Sequence, residues 1–369
     1  MAGELFIGLM SGTSLDGADV ALVSFNDAQQ PSVLGTYFLA YPAALRVEIL
    51  ALQYPTHNEL ETTILMGNRL AKLYSEAVND LLTKCQISPH KILAIGCHGQ
   101  TIRHRPGFKD GIGFTLQIGN AALLAELTGI SVISDFRSRD IAASGQGAPL
   151  VPAFHHAVFA SPQSRRALIN IGGIANITYL SGGEVIGFDS GPGNMLLDAW
   201  IKQHQGLDYD ANGAWASTGN VIEPLLSQML NEPYFDSVPP KSTGRDLFND
   251  AWLNKHVLDK HYLPQDVART LVELTAQSIY HALLKNCDGV DEVYLCGGGA
   301  HNTLLKDTLQ ILLKNIQVET TEVLGMGVDW VEAIAFAWLA KQCLTQKTAN
   351  LPEVTGAKGL RILGAIYQK

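Results

Sequence analysis

Two short runs of this chain carry the residue types of a phosphate cradle. Ser11, Gly12, Thr13, Ser14, Leu15, Asp16 and Gly17 form the first, and Asp189, Ser190, Gly191, Pro192, Gly193 and Asn194 the second. Glycines let backbone N–H groups approach an anion, and the Ser and Thr hydroxyls add donors. The Asp16 and Asp189 carboxylates are suited to holding a metal ion or taking a proton. A single Gly/Ser/Asp turn at a strand end is common and usually carries no chemistry. Two of them in one chain point to a ligand gripped from both sides. A third glycine-rich run, Gly297, Gly298, Gly299, Ala300, His301 and Asn302, also leaves an apolar segment.

The elements that must hold these runs follow from periodicity. Leu5 to Leu9, Ala18 to Phe25 and Val33 to Phe38 read as strands of an antiparallel meander, which excludes a βαβ opening of the dinucleotide-binding kind. Glu59 to Cys85 carries apolar residues at helical spacing, Ile92 to Cys97 returns to strand, and Gly99 to Arg105 reads as a polar loop leaving it. Thr115 to Gly119, a helix Ala121 to Leu127, and Val132 to Ser134 complete an α/β lobe. Ala167 to Ile171, Ala175 to Leu180 and Glu184 to Phe188 then repeat the three-strand opening, and Met195 to His204 turns helical. The recurrence predicts two lobes from a duplicated unit. A loop at Pro239 to Gly244 precedes a long helix over Asp266 to Leu284 and a buried strand over Glu292 to Cys296; Leu304 to Leu313 is helical. An apolar helix over Trp330 to Cys343 is long enough to cross between lobes, and Arg361 to Ile366 reads as a last strand.

Composition bounds the rest. A chain of 369 residues exceeds one typical core, so two domains with a ligand-binding cleft are expected. The formal charge of -9 and the lack of any Lys/Arg run argue against nucleic acid and anionic membranes as partners. No apolar run approaches the roughly 20 residues of a bilayer span, and the start lacks the basic residues of a secretion signal, so a cytoplasmic protein is expected. Five scattered cysteines without a C-x-x-C pair predict reduced, mostly buried thiols and no zinc site.

With its two matching meanders, three glycine-rich strand ends and an apolar helix near the end, the chain resembles the superfamily of actin, sugar kinases and Hsp70 ATPases. Narrower strings run in order through nearly the whole chain: GLMSGTSLDGAD from Gly8 to Asp19, CHGQT from Cys97 to Thr101 and DFRSRD from Asp135 to Asp140. NIGGIAN from Asn170 to Asn176, GFDSGPGN from Gly187 to Asn194 and CGGGAHN from Cys296 to Asn302 complete the set. Together they are similar to the bacterial anhydro-N-acetylmuramic acid kinases.

That resemblance implies an α/β, two-lobed actin-like ATPase of ribonuclease H-like fold, each lobe a mixed sheet flanked by helices with ATP between the lobes. The boundaries expected are 1–128 plus 346–369 for the first lobe and 129–345 for the second. The implied activity is an ATP-dependent opening of the 1,6-anhydro ring by water and phosphorylation of O6, in peptidoglycan recycling, with ATP and Mg2+ as cofactors. Asp189 matches the family's catalytic carboxylate and is expected to be the general base; capping of the following helix is its plain alternative. Gly12, Thr13, Ser14, Leu15, Asp16, Gly17, Ala18 and Asp19 match the first ATP loop, with Asp16 a partner of Mg2+ and a tight hairpin the alternative. Gly191, Gly193 and Asn194, with Gly297, Gly298, Gly299 and Asn302, complete the expected ATP contacts. His98, Gln100 and Thr101 are expected to meet the sugar, and Arg137 or Arg139 its lactyl carboxylate, against ordinary surface pairing. Glu332 is expected to cap a helix N-terminus or touch the sugar. A homodimer is compatible with the resemblance. A filament or chaperone ATPase, and a kinase of glycerol, acetate or a hexose, are the rival readings.

Overall fold

Strands β1 (Glu4–Ser11) and β2 (Gly17–Phe25) are buried along most of their length and pair antiparallel, Glu4 facing Phe25 and Met10 facing Asp19. β-Branched and aromatic residues filling a pleated surface make them strands, and burial on both faces makes them nearly continuous apolar runs. In this computed structural model the described residues are 3–12, 14–26, 30–55, 57–107, 111–258 and 260–369. β3 (Pro31–Ala40) completes the expected meander beside β2. β4 (Ile92–Arg105) runs parallel to β1 on its other side, β5 (Phe114–Ile118) folds back antiparallel on the second half of β4, and β6 (Val132–Ser134) runs parallel to the first half.

In the second unit, β7 (Arg166–Ile171), β8 (Ile174–Ser181) and β9 (Glu184–Pro192) form the second antiparallel meander. β10 (Glu292–Cys296) and β11 (Val318–Thr320) extend it in parallel, giving the order β11-β10-β7-β8-β9. The first sheet has the same plan, β6-β4-β1-β2-β3, with β12 (Ala365–Tyr367) added antiparallel to β6. Three antiparallel strands followed by parallel ones, twice over, is the ribonuclease H-like order that the resemblance implies. Each sheet has its own core. The first gathers Ile7, Leu9, Val20, Leu22 and Ile95 against Leu70, Tyr74 and Leu81 of the helix Glu59–Cys85. The second gathers Ile169, Ile177 and Phe188 against Leu271 and Leu274 of the helix Pro264–Asn286.

Four local expectations differ from the structure. Gly99 to Arg105 is not a loop but the second half of β4, because β5 supplies hydrogen-bonding partners that the local sequence does not announce. Asp189 to Pro192 likewise continues β9 along β8. The last strand is shorter and later than expected, Ala365–Tyr367. The chain divides into residues up to Val158 with Trp330–Lys369, and Phe159–Asp329, rather than at 129 and 346. Two pairings explain the shift. β6 adds to β4, and the helix Val331–Leu344 lies on β1 and β4 within the first unit instead of crossing out of it. There the helix comes so near that a Cβ on Gly8 would stand 1.7 Å from the Ala333 carbonyl oxygen, and one on Gly96 2.0 Å from that of Phe336.

Candidate active site

The first glycine run closes the turn between β1 and β2, as a tight hairpin would, but it is tied down by more than its own backbone. Asp16 Oδ1 accepts from Ser14 Oγ at 2.6 Å and from the Gly17 N–H at 3.0 Å, while the Asp16 carbonyl receives the Tyr41 N–H. Leu15, at φ 61°, sends its side chain into the core, as does Ala18, so these two present only backbone to a ligand. Ser14 and Asp16 are exposed; Gly12 and Asp19 are half-buried, and Gly17 is buried. Thr13 lies outside the described residues.

Beneath the turn, Gln100 is fully buried and committed to it. Ser11 Oγ donates to Gln100 Oε1 at 2.5 Å, Gln100 Nε2 donates to the Gly12 carbonyl at 3.1 Å, and Ser11 Oγ also meets Tyr41 Oη at 2.7 Å. Gln100 was expected to reach a sugar. Its amide connects β4 to the first glycine turn. Thr101 accepts from Gln117 of β5.

His98 is buried, with Nδ1 3.3 Å from the Ser11 carbonyl and Nε2 2.9 Å from Arg137 Nη2. A carbonyl at one nitrogen and a guanidinium donor at the other select the neutral tautomer protonated at Nδ1. Burial, reinforced by the Arg137 charge, pushes the His98 pKa down to about 3. Arg137 Nη1 donates to the Gly147 carbonyl at 2.8 Å. Burial lowers its pKa to about 10 against the fields of Glu332 and Asp140, and burial raises that of Glu332 against Arg137. Glu332 sits in the first turn of the helix Val331–Leu344, where the Arg137 charge favours its ionised form. Arg139, two residues on, is exposed.

Sequence reasoning missed Asp140, a fully buried carboxylate. Its Oδ2 accepts the Gly147 N–H at 2.8 Å, and its Oδ1 accepts Asn350 Nδ2 and Thr355 Oγ1, both at 2.8 Å. It binds the segment carrying Arg137 to the chain's end. Its place in the DFRSRD string was the available signal.

In the second unit Asp189 lies within β9, three residues before its last residue Pro192, and does not cap the helix Met195–Gln205, whose N-cap position is Asn194. The loop after Pro240 closes on it instead. Asp189 Oδ2 accepts the Thr243 N–H at 3.0 Å, its N–H donates to the Lys241 carbonyl, and its carbonyl accepts Tyr234 Oη at 2.7 Å. Lys241 Nζ donates to the Tyr234 and Phe235 carbonyls and stands 4.6 Å from the centre of the Tyr234 ring. Burial pushes the Asp189 carboxyl up to about 6, although the Thr243 N–H and the Lys241 charge both favour the ionised form. A base poised near neutrality takes a proton from water far more readily than an ordinary carboxylate. Lys241, Thr243 and Tyr234 were not singled out in the sequence; the Lys-Ser-Thr-Gly run, built from the same residue types as the phosphate loops, was the signal.

The second glycine run is more occupied than a phosphate cradle requires. The N–H groups of Gly193 and Met195 donate to the Gly173 carbonyl, and that of Asn194 to Gly172. What these bonds do is seat the run against the Gly172-Gly173 turn, where a Cβ on Gly193 would meet the Gly172 oxygen at 2.3 Å. Gly191 needs its missing side chain too, since a Cβ would stand 2.7 Å from the Phe235 ring. The third run joins this cluster. A Cβ on Gly297 or Gly299 would strike Asn170 or Ile171, and Gly298 faces Asn194 Nδ2. Asn302 caps the helix Thr303–Leu313 by accepting the Leu305 N–H on its Oδ1. The second unit thus brings three distant glycine-rich strings to one end of its sheet.

Among the described residues no group of three or more His, Cys, Asp or Glu side chains is placed to bind a metal, and no helix is long and apolar enough to cross a membrane. All five cysteines are free thiols; burial pushes Cys97 and Cys287 up to about 12.

The model of the anhydro-N-acetylmuramic acid kinase family matches residues 4–369. The chain is 53% identical over 367 residues to the anhydro-N-acetylmuramic acid kinase of Thiobacillus denitrificans, covering 99% of this chain and 97% of that one. It is 52% identical over 363 residues to that of Nitrosomonas europaea, covering 98% and 99%. To that of Pseudomonas putida it is 50% identical over 365 residues, covering 98% and 99%.

Proposed function

Because the chain belongs to the anhydro-N-acetylmuramic acid kinase family, we propose that Asp189 of the second unit activates water and that glycine-rich turns of both units offer donors to ATP. The protein is an ATP-dependent carbohydrate kinase of murein recycling that opens the 1,6-anhydro ring of anhydro-N-acetylmuramic acid and phosphorylates O6. Asp189 is the general base. It takes one proton from water as the oxygen attacks the anomeric carbon and the bond from that carbon to O6 breaks. O6 then attacks the γ-phosphorus of ATP, the bond to the bridging oxygen breaks, and ADP leaves with N-acetylmuramic acid 6-phosphate. The hydrogen-bonded seating of Asp189 by the 241–243 loop is the observation that carries this reading.

The Gly12–Asp19 turn is the ATP loop of the first unit, presenting backbone N–H groups and the Ser14 hydroxyl. Gly191, Gly193, Asn194 and Gly297–Gly299 are the glycine-rich strings of the second unit. Because Gly193 and Asn194 spend their N–H groups on the Gly172-Gly173 turn, their part is close packing; the Gly297 N–H is likewise spent on the Val328 carbonyl, and the N–H groups of Gly298 and Gly299 are the donors offered to nucleotide. Asp16 is exposed and carries both its hydrogen bonds on Oδ1, which fits a carboxylate partner for Mg2+ on the phosphates. The ion, when bound, neutralises charge developing on the transferred phosphoryl group. His98 and Arg137 form a neutral–cationic pair beside Glu332, and Arg137 and Arg139 are the guanidinium groups offered to the lactyl carboxylate. The protein acts in the cytoplasm on small molecules.

Purified protein assayed for ADP release with anhydro-N-acetylmuramic acid, glucose, glycerol and acetate tests the reading, with mass spectrometry of the product. Turnover confined to the anhydro sugar, with gain of one water and one phosphoryl group, is expected. Faster turnover of glucose or glycerol would overturn it.

A further inference from the structure

Thr243 has a polar atom that the fold itself leaves unanswered. Its N–H holds Asp189 Oδ2 at 3.0 Å, yet its hydroxyl Oγ1 is buried and has no hydrogen-bond partner among the described residues. Burying a hydroxyl without a partner costs free energy, so such groups are rare in settled cores and concentrate where a ligand or an ordered water completes them. The other groups around this carboxylate are already committed: Lys241 to two carbonyls and Tyr234 to the Asp189 carbonyl. Among the described residues, Thr243 Oγ1 is thus a buried hydroxyl without a partner, carried by the residue whose N–H already holds that carboxylate.

Resting on the assignment of Asp189 as general base, we propose that Thr243 is a catalytic residue that orients the attacking water. Its N–H pins Oδ2, which leaves Oδ1 to receive the proton, and its hydroxyl hydrogen-bonds the same water and turns a lone pair toward the anomeric carbon. One proton of that water passes to Asp189, and the other stays on the oxygen that becomes the anomeric hydroxyl. Thr243 neither gains nor loses a proton overall. A two-point hold of this kind is effective because small misplacement of a reacting group carries a large rate penalty.

The test uses the full-length enzyme with Thr243→Val, which keeps the N–H and the shape but removes the hydroxyl, Thr243→Ala as a second variant, and Thr243→Ser. Turnover of the anhydro sugar should fall roughly tenfold or more in Val and Ala and recover in Ser. Binding of an ATP analogue, measured by calorimetry, should stay within about twofold of the wild type, and the melting temperature of the Val variant should be unchanged or raised, because no protein hydrogen bond is lost. A Val variant with wild-type turnover, or a Ser variant as slow as Val, would overturn the proposal. Failure of the wild type to turn over the anhydro sugar at all would instead overturn the functional reading on which it rests.

Discussion

Arg137 Nη2 donates to His98 Nε2 at 2.9 Å, so a buried guanidinium is held against an imidazole that must stay neutral. The consequence is a pH dependence of stability. A free histidine titrates near 6.5, whereas His98 in the fold, like the buried His155, titrates near 3. Between those values the unfolded chain binds protons that the folded one refuses, so stability falls as pH drops through the window. Asp189 acts in the opposite sense. With its carboxyl raised to about 6, the folded chain holds a proton that the unfolded one releases above about 4, which offsets part of the loss. The melting temperature should therefore fall between pH 7 and pH 5. His98→Gln should flatten the dependence by up to about 1.4 kcal/mol per pH unit near pH 5. Denaturant titrations across that range would refute the neutral assignment by showing equal slopes.

Asp189 must be ionised to accept a proton, so kcat/KM should decline as pH falls through about 6. Asp189→Asn should lower turnover by roughly 10²- to 10⁴-fold while leaving ATP binding intact. Steady-state rates from pH 4.5 to 8 check the first statement, and an acid limb centred below 5 would contradict it.

Asp140 gathers three donors in a fully buried setting. Asp140→Ala strands the Gly147 N–H, Asn350 and Thr355 together, and should cost about 3 kcal/mol or more by urea unfolding. Because Gly147 also receives Arg137, the same variant should raise the KM for sugar if it remains folded. A loss below about 1 kcal/mol would show that the three donors find other partners.

Gly8 and Gly96 allow the helix Val331–Leu344 to lie backbone to backbone on β1 and β4. Gly8→Ala should destabilise the protein by about 3 kcal/mol, since the new methyl would overlap a carbonyl oxygen that a packed helix cannot readily withdraw. By contrast, Gly129→Ala, where nothing stands within 4 Å but φ is 66°, should show only the smaller cost of a left-handed backbone, roughly 1 kcal/mol. Thermal melts of the two variants would give the reverse order if packing were not the cause.

What the amino-acid order determined by itself was whatever depends on neighbours a few residues apart. Alternation and apolar runs marked β1, β2 and β7 to β9, helical spacing marked Glu59–Cys85 to its ends, and the repeat of the meander predicted the repeated sheet order. The motif strings marked the family. The tertiary structure decided which partner each polar group meets. Gly99–Arg105 became strand because β5 returned to it, Gln100 bonded to the first glycine turn because Ser11 stands opposite it, 89 residues away in the chain, and Asp189 found Thr243 54 residues on. Hydrogen bonds and burial are short-ranged in space and indifferent to sequence distance. Local spacing therefore reveals which residues have the chemistry, and only the folded sheets show whether a given amide or carboxylate serves a ligand or holds the scaffold.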